Sequence, residues 1–259
     1  MPWDPQRYEA FADARLRPLV DLLARIPDPE SGWTPERIAD LGCGSGNGTR
    51  LLAQRWPGAN IVGVDNSREM LETARSRGGS IDWQQAELGS WQPSLRFDLL
   101  FSNAALHWLD HHETQFPRLL DMLLPGGMLA VQMPRNFDAA SHRAAFELAQ
   151  EAPYREHLLA SLRMRPVLEP PQYYALLAPR SAVLDVWETE YLQVLTGDNP
   201  VADWTRSTLM VPLLDALPQA LRPPFEAEYR RRAAAAYAKS PDGTTFYPFR
   251  RLFMTLRVR

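Results

Sequence analysis

Hydrophobic positions in the first half of the chain fall into short runs separated by stretches with helical spacing. Residues 37–41, 61–64, 81–85, 97–102 and 128–133 read as strands, most of them nearly continuous apolar segments. Such segments suit strands covered on both faces. Between them, residues 47–56, 68–75 and 114–123 carry the helical period, with Ser67 as N-cap of the second and Pro125-Gly126-Gly127 closing the third. Residues 7–23 form an earlier helix, with a kink or break expected at Pro18. Strand and helix in alternation predict an α/β domain around a mostly parallel sheet.

Beyond Met133 the pattern changes. Residues 141–162 look helical with an interruption at Pro153, and a proline-rich linker over 166–171 leads into a short helix over 173–177. Residues 183–194 have β character, and residues 201–239 are largely helical, broken at Pro212, Pro218 and Pro223-Pro224. A last strand is expected over 252–258. The layout predicts a seven-stranded sheet whose final strand returns after a helical insertion. That insertion, with residues 136–162, would cap the carboxyl ends of the strands, where open α/β sheets bind ligands. The expected division is a helical lid over 1–30, a core over 31–135, and cap elements plus the last two strands over 136–259.

Composition narrows the field. The 259 residues are 45% hydrophobic with a net charge of −3, so the chain can bury a full core and lacks the basic footprint of a nucleic-acid binder. No apolar run approaches the ~18 residues of a membrane span, and the N-terminal stretch lacks the apolar core of a signal peptide. Cys43 is the sole cysteine, which excludes an internal disulfide. A soluble cytoplasmic protein is expected. Lys239 is the only lysine, so almost all positive charge is arginine, a bias that a genome rich in arginine codons accounts for and that would also let some arginines grip carboxylates. His111 and His112 are adjacent, in an expected helix-entry loop, and no Cys or His cluster with metal-ligand spacing accompanies them.

The chemistry concentrates after the strands. Segment 38–49, IADLGCGSGNGT, runs an apolar strand into glycines that allow close backbone approach, then into a helix with free N–H groups. The spacing differs from the dinucleotide fingerprint. Asp40 precedes Gly42, Cys43 and Gly44, and a carboxylate there suits a cationic ligand with an amino acid tail rather than a phosphate. Asp65 ends the next strand, where a carboxylate can accept from both hydroxyls of a ribose, with Asn66 and Met70 beside it. Glu87 follows the third strand and can accept from an adenine amino group while Leu88 flanks the ring. Asn103 and the Ala104 backbone follow the fourth strand and would face the amino acid end of the ligand, with His107 and Trp108 nearer a second substrate. Cys43 reads as a small packing residue, without a partner for nucleophilic work.

DLGCGSGNGT, VGVDNS, FDLLFSNAALHW and LLPGGMLAVQMP, in that order and spacing, resemble the class I S-adenosylmethionine methyltransferases, whose fold is a Rossmann-like seven-stranded sheet. A nearer resemblance, over residues 3–137, is to the trans-aconitate 2-methyltransferase family. It implies S-adenosylmethionine as cofactor, S-adenosylhomocysteine as product and a small carboxylic acid as acceptor. It also implies Trp3, Tyr8 and Arg15 in an N-terminal lid, with Trp3 and Arg15 toward the cofactor and Tyr8 toward substrate. Farther on it retains Tyr173, Tyr174, Trp204 and Arg251, of which the two tyrosines and the arginine would contact substrate. One departure stands out. The family pattern after the tryptophan has glycine and arginine where this chain has Leu209 and Val211. A carboxylate acceptor is ionised at neutral pH and needs no base. A neutral acceptor would need one, with His107 first in line. A carrier-bound malonyl acceptor, and a cofactor-binding regulator without catalysis, are the remaining alternatives.

Overall fold

A computed structural model describes residues 12–27, 29–159, 162 and 167–259. Two compact units appear. The sheet unit takes Leu16–Pro134, Pro166–Thr189 and Arg251–Arg259, while the other takes Glu190–Arg250 and the described parts of residues 1–15 and 135–165.

The strands are β1 (Arg37–Leu41), β2 (Asn60–Asp65), β3 (Asp82–Gln85), β4 (Phe97–Asn103), β5 (Leu123–Pro134), β6 (Ser181–Leu195) and β7 (Thr245–Val258). Their order is β3-β2-β1-β4-β5-β7-β6. The first five pair in parallel and β7 runs antiparallel to β5. This is the seven-stranded, mostly parallel arrangement that the alternation predicted. The order reverses between β1 and β4, so their carboxyl ends open a crevice at the switch point. Ile38, Ala39 and Leu41 of β1 and Leu99, Leu100 and Phe101 of β4 are completely buried, as central strands require.

α1 (Ala12–Leu23) runs through Pro18, so of the kink or break expected there the break does not occur, and it buries Leu19, Leu22 and Leu23. α2 (Asn47–Arg55) leaves the glycine loop directly, and α3 (Arg68–Ser76) starts at Ser67, whose Oγ accepts from the Met70 amide at 3.2 Å. α4 (His112–Asp121) begins two residues earlier than expected, so His112 belongs to the helix and not to its entry loop. Pro125-Gly126-Gly127 does not end a helix. It lies inside β5, whose ladder with β4 shifts register between Phe97 and Leu99 and so accommodates the irregular segment.

The second unit contains α5 (Ala140–Ala149) and α6 (Arg155–Leu158); α7 (Pro170–Leu177) belongs to the sheet unit. Pro170 and Pro171 are the first turn of α7, not a linker, because Glu169 before them and Gln172 after them form a capping box. In the second unit α8 (Pro200–Arg206), α9 (Met210–Ala216) and α10 (Arg222–Ala236) follow. Pro212, Pro223 and Pro224 stand in first turns, where a missing N–H costs no helical bond, so they open helices and do not break them. Leu148, Leu213, Leu214, Phe225 and Tyr229 form this unit's apolar core. No helix among the described residues is long and apolar enough to cross a membrane.

Candidate functional site

The loop after β1 is stitched to the end of β2. The amides of Gly42 and Cys43 both donate to the Val64 carbonyl, at 2.8 and 3.0 Å. Gly42 and Gly44 have left-handed φ of 76° and 53°, which favours glycine at both. Their surroundings differ. A Cβ on Gly42 would lie 2.1 Å from the Cβ of Ala105, so the loops after β1 and β4 touch there. A Cβ on Gly44 would meet nothing within 4 Å among the described residues, so they leave this side of the loop open.

Asp65 stands at the centre. Its Oδ2 accepts from the Gly44 amide at 2.8 Å and its Oδ1 from the Ser67 amide at 2.9 Å. Burial raises its pKa, and the amides of Ser67, Gly44 and Asn66 oppose that rise. Two amide bonds leave lone pairs on each oxygen for further donors. Asp40 is buried beneath the loop, where Thr49 Oγ1 donates to its Oδ2 at 2.6 Å. Burial, only partly offset by that hydroxyl and reinforced by Asp65, pushes Asp40 up to about 7. Cys43 packs inward, with Sγ 3.2 Å from where a Cβ on Gly63 would stand. Burial and the two nearby carboxylates push its thiol up, which leaves it without thiolate character.

A second wall follows β3. Ala86 donates its amide to the Asp65 carbonyl at 3.0 Å, and Asn66 Nδ2 donates to Glu87 Oε1 at 3.1 Å. Leu88 approaches Gly42. Arg118 of α4 holds this wall in place: Nη1 donates to the Trp91 carbonyl at 2.7 Å, Nη2 to the Leu88 carbonyl, and Nε to Gln115. Trp83 fills the space beside Gly46 and Gly63. Neither Arg118 nor Trp83 has a sequence signature, because each acts through long-range packing. Met70 is buried in the first turn of α3.

The third wall is the end of β4. Among the described residues, Asn103 buries its Oδ1 without a hydrogen-bond partner. Ala104 has φ of 55°, a left-handed value unusual for a residue with a Cβ, and donates its amide to the Gln132 carbonyl at 2.9 Å. His107 and Trp108 lie in a short 3-10 turn with ring centroids 4.8 Å apart, Trp108 exposed. Arg251 is buried on β7, and its Nη1 donates to Gln132 Oε1 at 3.3 Å.

The structure thus gathers Gly42, Cys43, Gly44, Asp65, Asn66, Glu87, Leu88, Asn103 and Ala104 around the carboxyl ends of β1 to β4. The Tyr173 side chain is completely buried, packed on Phe116 with ring centroids 5.0 Å apart, and its hydroxyl meets His112 Nδ1 and the Leu168 amide. It packs in the core of the sheet unit, while the adjacent Tyr174 faces solvent. Trp3 and Tyr8 lie outside the described residues, as does the side chain of Arg15. Among the described residues no group of three His, Cys, Asp or Glu could hold a metal ion.

Residues 38–127 match the methyltransferase domain family. The trans-aconitate 2-methyltransferase of Streptomyces coelicolor is 50% identical over 98% of this chain and 86% of its own length. That of Azoarcus sp. is 43% identical over 97% of each. Among solved structures, the plantazolicin methyltransferase BamL, in complex with a triazolic desmethylPZN analog and SAH, aligns with a TM-score of 0.55 over 98% of this chain and 89% of that one. At 13% identity this likeness concerns the fold alone.

Proposed function

Because the chain belongs to the trans-aconitate 2-methyltransferase family, we propose that it methylates one carboxylate of trans-aconitate or a closely related small acid, with S-adenosylmethionine as donor and a methyl ester as product. The observation that carries the cofactor half is the pairing of Asp65 with the Gly44 amide beside an open loop face. The residues present fit this cofactor. Asp65 keeps lone pairs for two ribose hydroxyls, the open side of Gly44 leaves room for the backbone to pass beneath the ligand, and the unpartnered Asn103 Oδ1 can accept from an ammonium group. Glu87 and Leu88, held by Asn66 and Arg118, would take the adenine.

Bound S-adenosylmethionine supplies a methyl group made electrophilic by its sulfonium sulfur. The rest falls to positioning. A carboxylate with a reference pKa near ~4 is ionised at neutral pH and needs no proton removed, so no base is assigned and His107 serves as a contact. Arg251 would hold a carboxylate that does not react, since a tight ion pair on the reacting one would blunt it. Alignment of the acid and loss of its hydration then account for the rate. The test is ester formation from tricarboxylic, dicarboxylic and monocarboxylic acids beside a neutral alcohol and an amine. Ester from at least one acid is expected. Methylation confined to the alcohol or amine would replace this reading with a base-assisted one.

A further inference from the structure

Gln132 lies in β5, in register with Asn103 of β4 and with Phe253 of β7. It is completely buried in a strand whose neighbouring buried residues, Met128 to Val131 and Met133, are apolar. A carboxamide in such a row needs partners at both ends. One end has its partner: Arg251 Nη1 donates to Gln132 Oε1 at 3.3 Å. Arg251 pairs with Pro134, two residues beyond Gln132, so the two long side chains stand on one face of the sheet as diagonal neighbours. A guanidinium only donates, which fixes the amide with its oxygen toward Arg251 and its nitrogen away. That nitrogen, Nε2, is buried without a hydrogen-bond partner among the described residues. Asn103 beside it buries an unpartnered acceptor, so the carboxyl ends of β4 and β5 offer one unmet group of each kind. An unmet donor next to an arginine calls for an anionic acceptor of hydrogen bonds, and a carboxylate satisfies both at once.

We propose that Gln132 is a specificity-determining residue for the methyl acceptor. Its Nε2 donates to a carboxylate of the bound acid that does not react, while its Oε1 holds Arg251 in place for the same group. This rests on the carboxylic acid reading above and deepens it. An acid with a single carboxylate has no spectator group to offer, so it gains nothing from Gln132.

The experiment compares wild type with Gln132→Met, which keeps the shape and removes both polar ends, and Gln132→Glu, which keeps a partner for Arg251 and turns the donor into an anion. Thermal melts, S-adenosylhomocysteine titrations, and kcat and KM for trans-aconitate and a monocarboxylic acid are measured. In both variants S-adenosylhomocysteine affinity should stay within about twofold, and KM for trans-aconitate should rise about tenfold to a hundredfold with kcat nearly kept. The larger rise belongs to Gln132→Glu, and the monocarboxylate values should not move. Should the methionine variant fail to melt cooperatively, the glutamate variant decides. An unchanged KM for trans-aconitate, or a parallel loss of S-adenosylhomocysteine binding, overturns the assignment. A wild-type protein that binds S-adenosylhomocysteine yet esterifies no acid overturns the carboxylic acid reading itself, and the wild-type arm identifies that failure separately.

Discussion

Alanine at Gly44 and alanine at Gly42 should have opposite signatures, one on ligand binding and one on folding. Both positions have left-handed φ, so either alanine carries backbone strain of roughly 1–2 kcal/mol. At Gly44 that is the whole folding cost, because the new Cβ meets nothing within 4 Å among the described residues. At Gly42 the new Cβ would stand 2.1 Å from the Ala105 Cβ, and neither methyl can rotate away. The loop or the residues after β4 must shift, at a further cost of roughly 1–3 kcal/mol typical of overpacking. In a chain of this size about 1 kcal/mol moves Tm by about 2–4 °C. Gly44→Ala should therefore melt only a few degrees below wild type and Gly42→Ala clearly lower still. The binding order is reversed for Gly44→Ala: its methyl enters the space beside Asp65, and S-adenosylhomocysteine affinity should fall at least about tenfold while the fold survives. Melts and calorimetric titrations of the two variants test this together. A Gly44→Ala protein that binds like wild type would show that the open face of the loop is not the ligand face.

Two further outcomes are expected. Asp40 has a folded pKa of about 7 against 3.8 for the ordinary group, so between those values the folded state holds a proton that the unfolded state has lost. Stability contributed by this residue is then present below about 4 and lost as pH rises toward 7. Asp40→Asn, which can still accept from Thr49, should gain Tm relative to wild type at pH 8 more than at pH 5, and a gap independent of pH would contradict the assignment. Val211 stands where the family likeness has an arginine, so Val211→Arg should lower KM for a tricarboxylate about tenfold relative to a monocarboxylate. Equal KM changes for the two acids would remove position 211 from acceptor selection.

Much of the sheet was legible because β1, β2 and β4 are buried on both faces and so appear as apolar runs. Ser67 was legible as a cap because its side chain precedes an amphipathic turn and the cap is local. The start of β5 was not, since Pro125-Gly126-Gly127 has turn chemistry and only the shifted ladder with β4 makes it strand. Prolines misled in the same way. Pro212 and Pro223-Pro224 look like breaks along the sequence and are openings in space, because what decides is where the first turn begins. Asp65 and the glycine loop could be found by spacing, because they stand at the ends of two consecutive strands and are joined by short hydrogen bonds. The acceptor side could not. Tyr173 and Tyr174 are adjacent on a short helix whose inward face has no clear apolar stripe, and only packing on Phe116 reveals that Tyr173 belongs to the core. Gln132 is a single polar letter in an apolar run, and its meaning depends on Arg251, which lies far along the chain and arrives on an antiparallel strand.

The most direct measurement of the central claim is a calorimetric titration of S-adenosylhomocysteine into wild type and Asp65→Ala. If Asp65 receives the ribose hydroxyls, the variant loses hydrogen bonds to a charged group, worth about 1.5–3 kcal/mol, and its affinity falls about tenfold to a hundredfold while the melt stays cooperative. Equal affinities in a folded variant would contradict the account, because the residue beneath the Gly44 amide would then have no part in holding the cofactor.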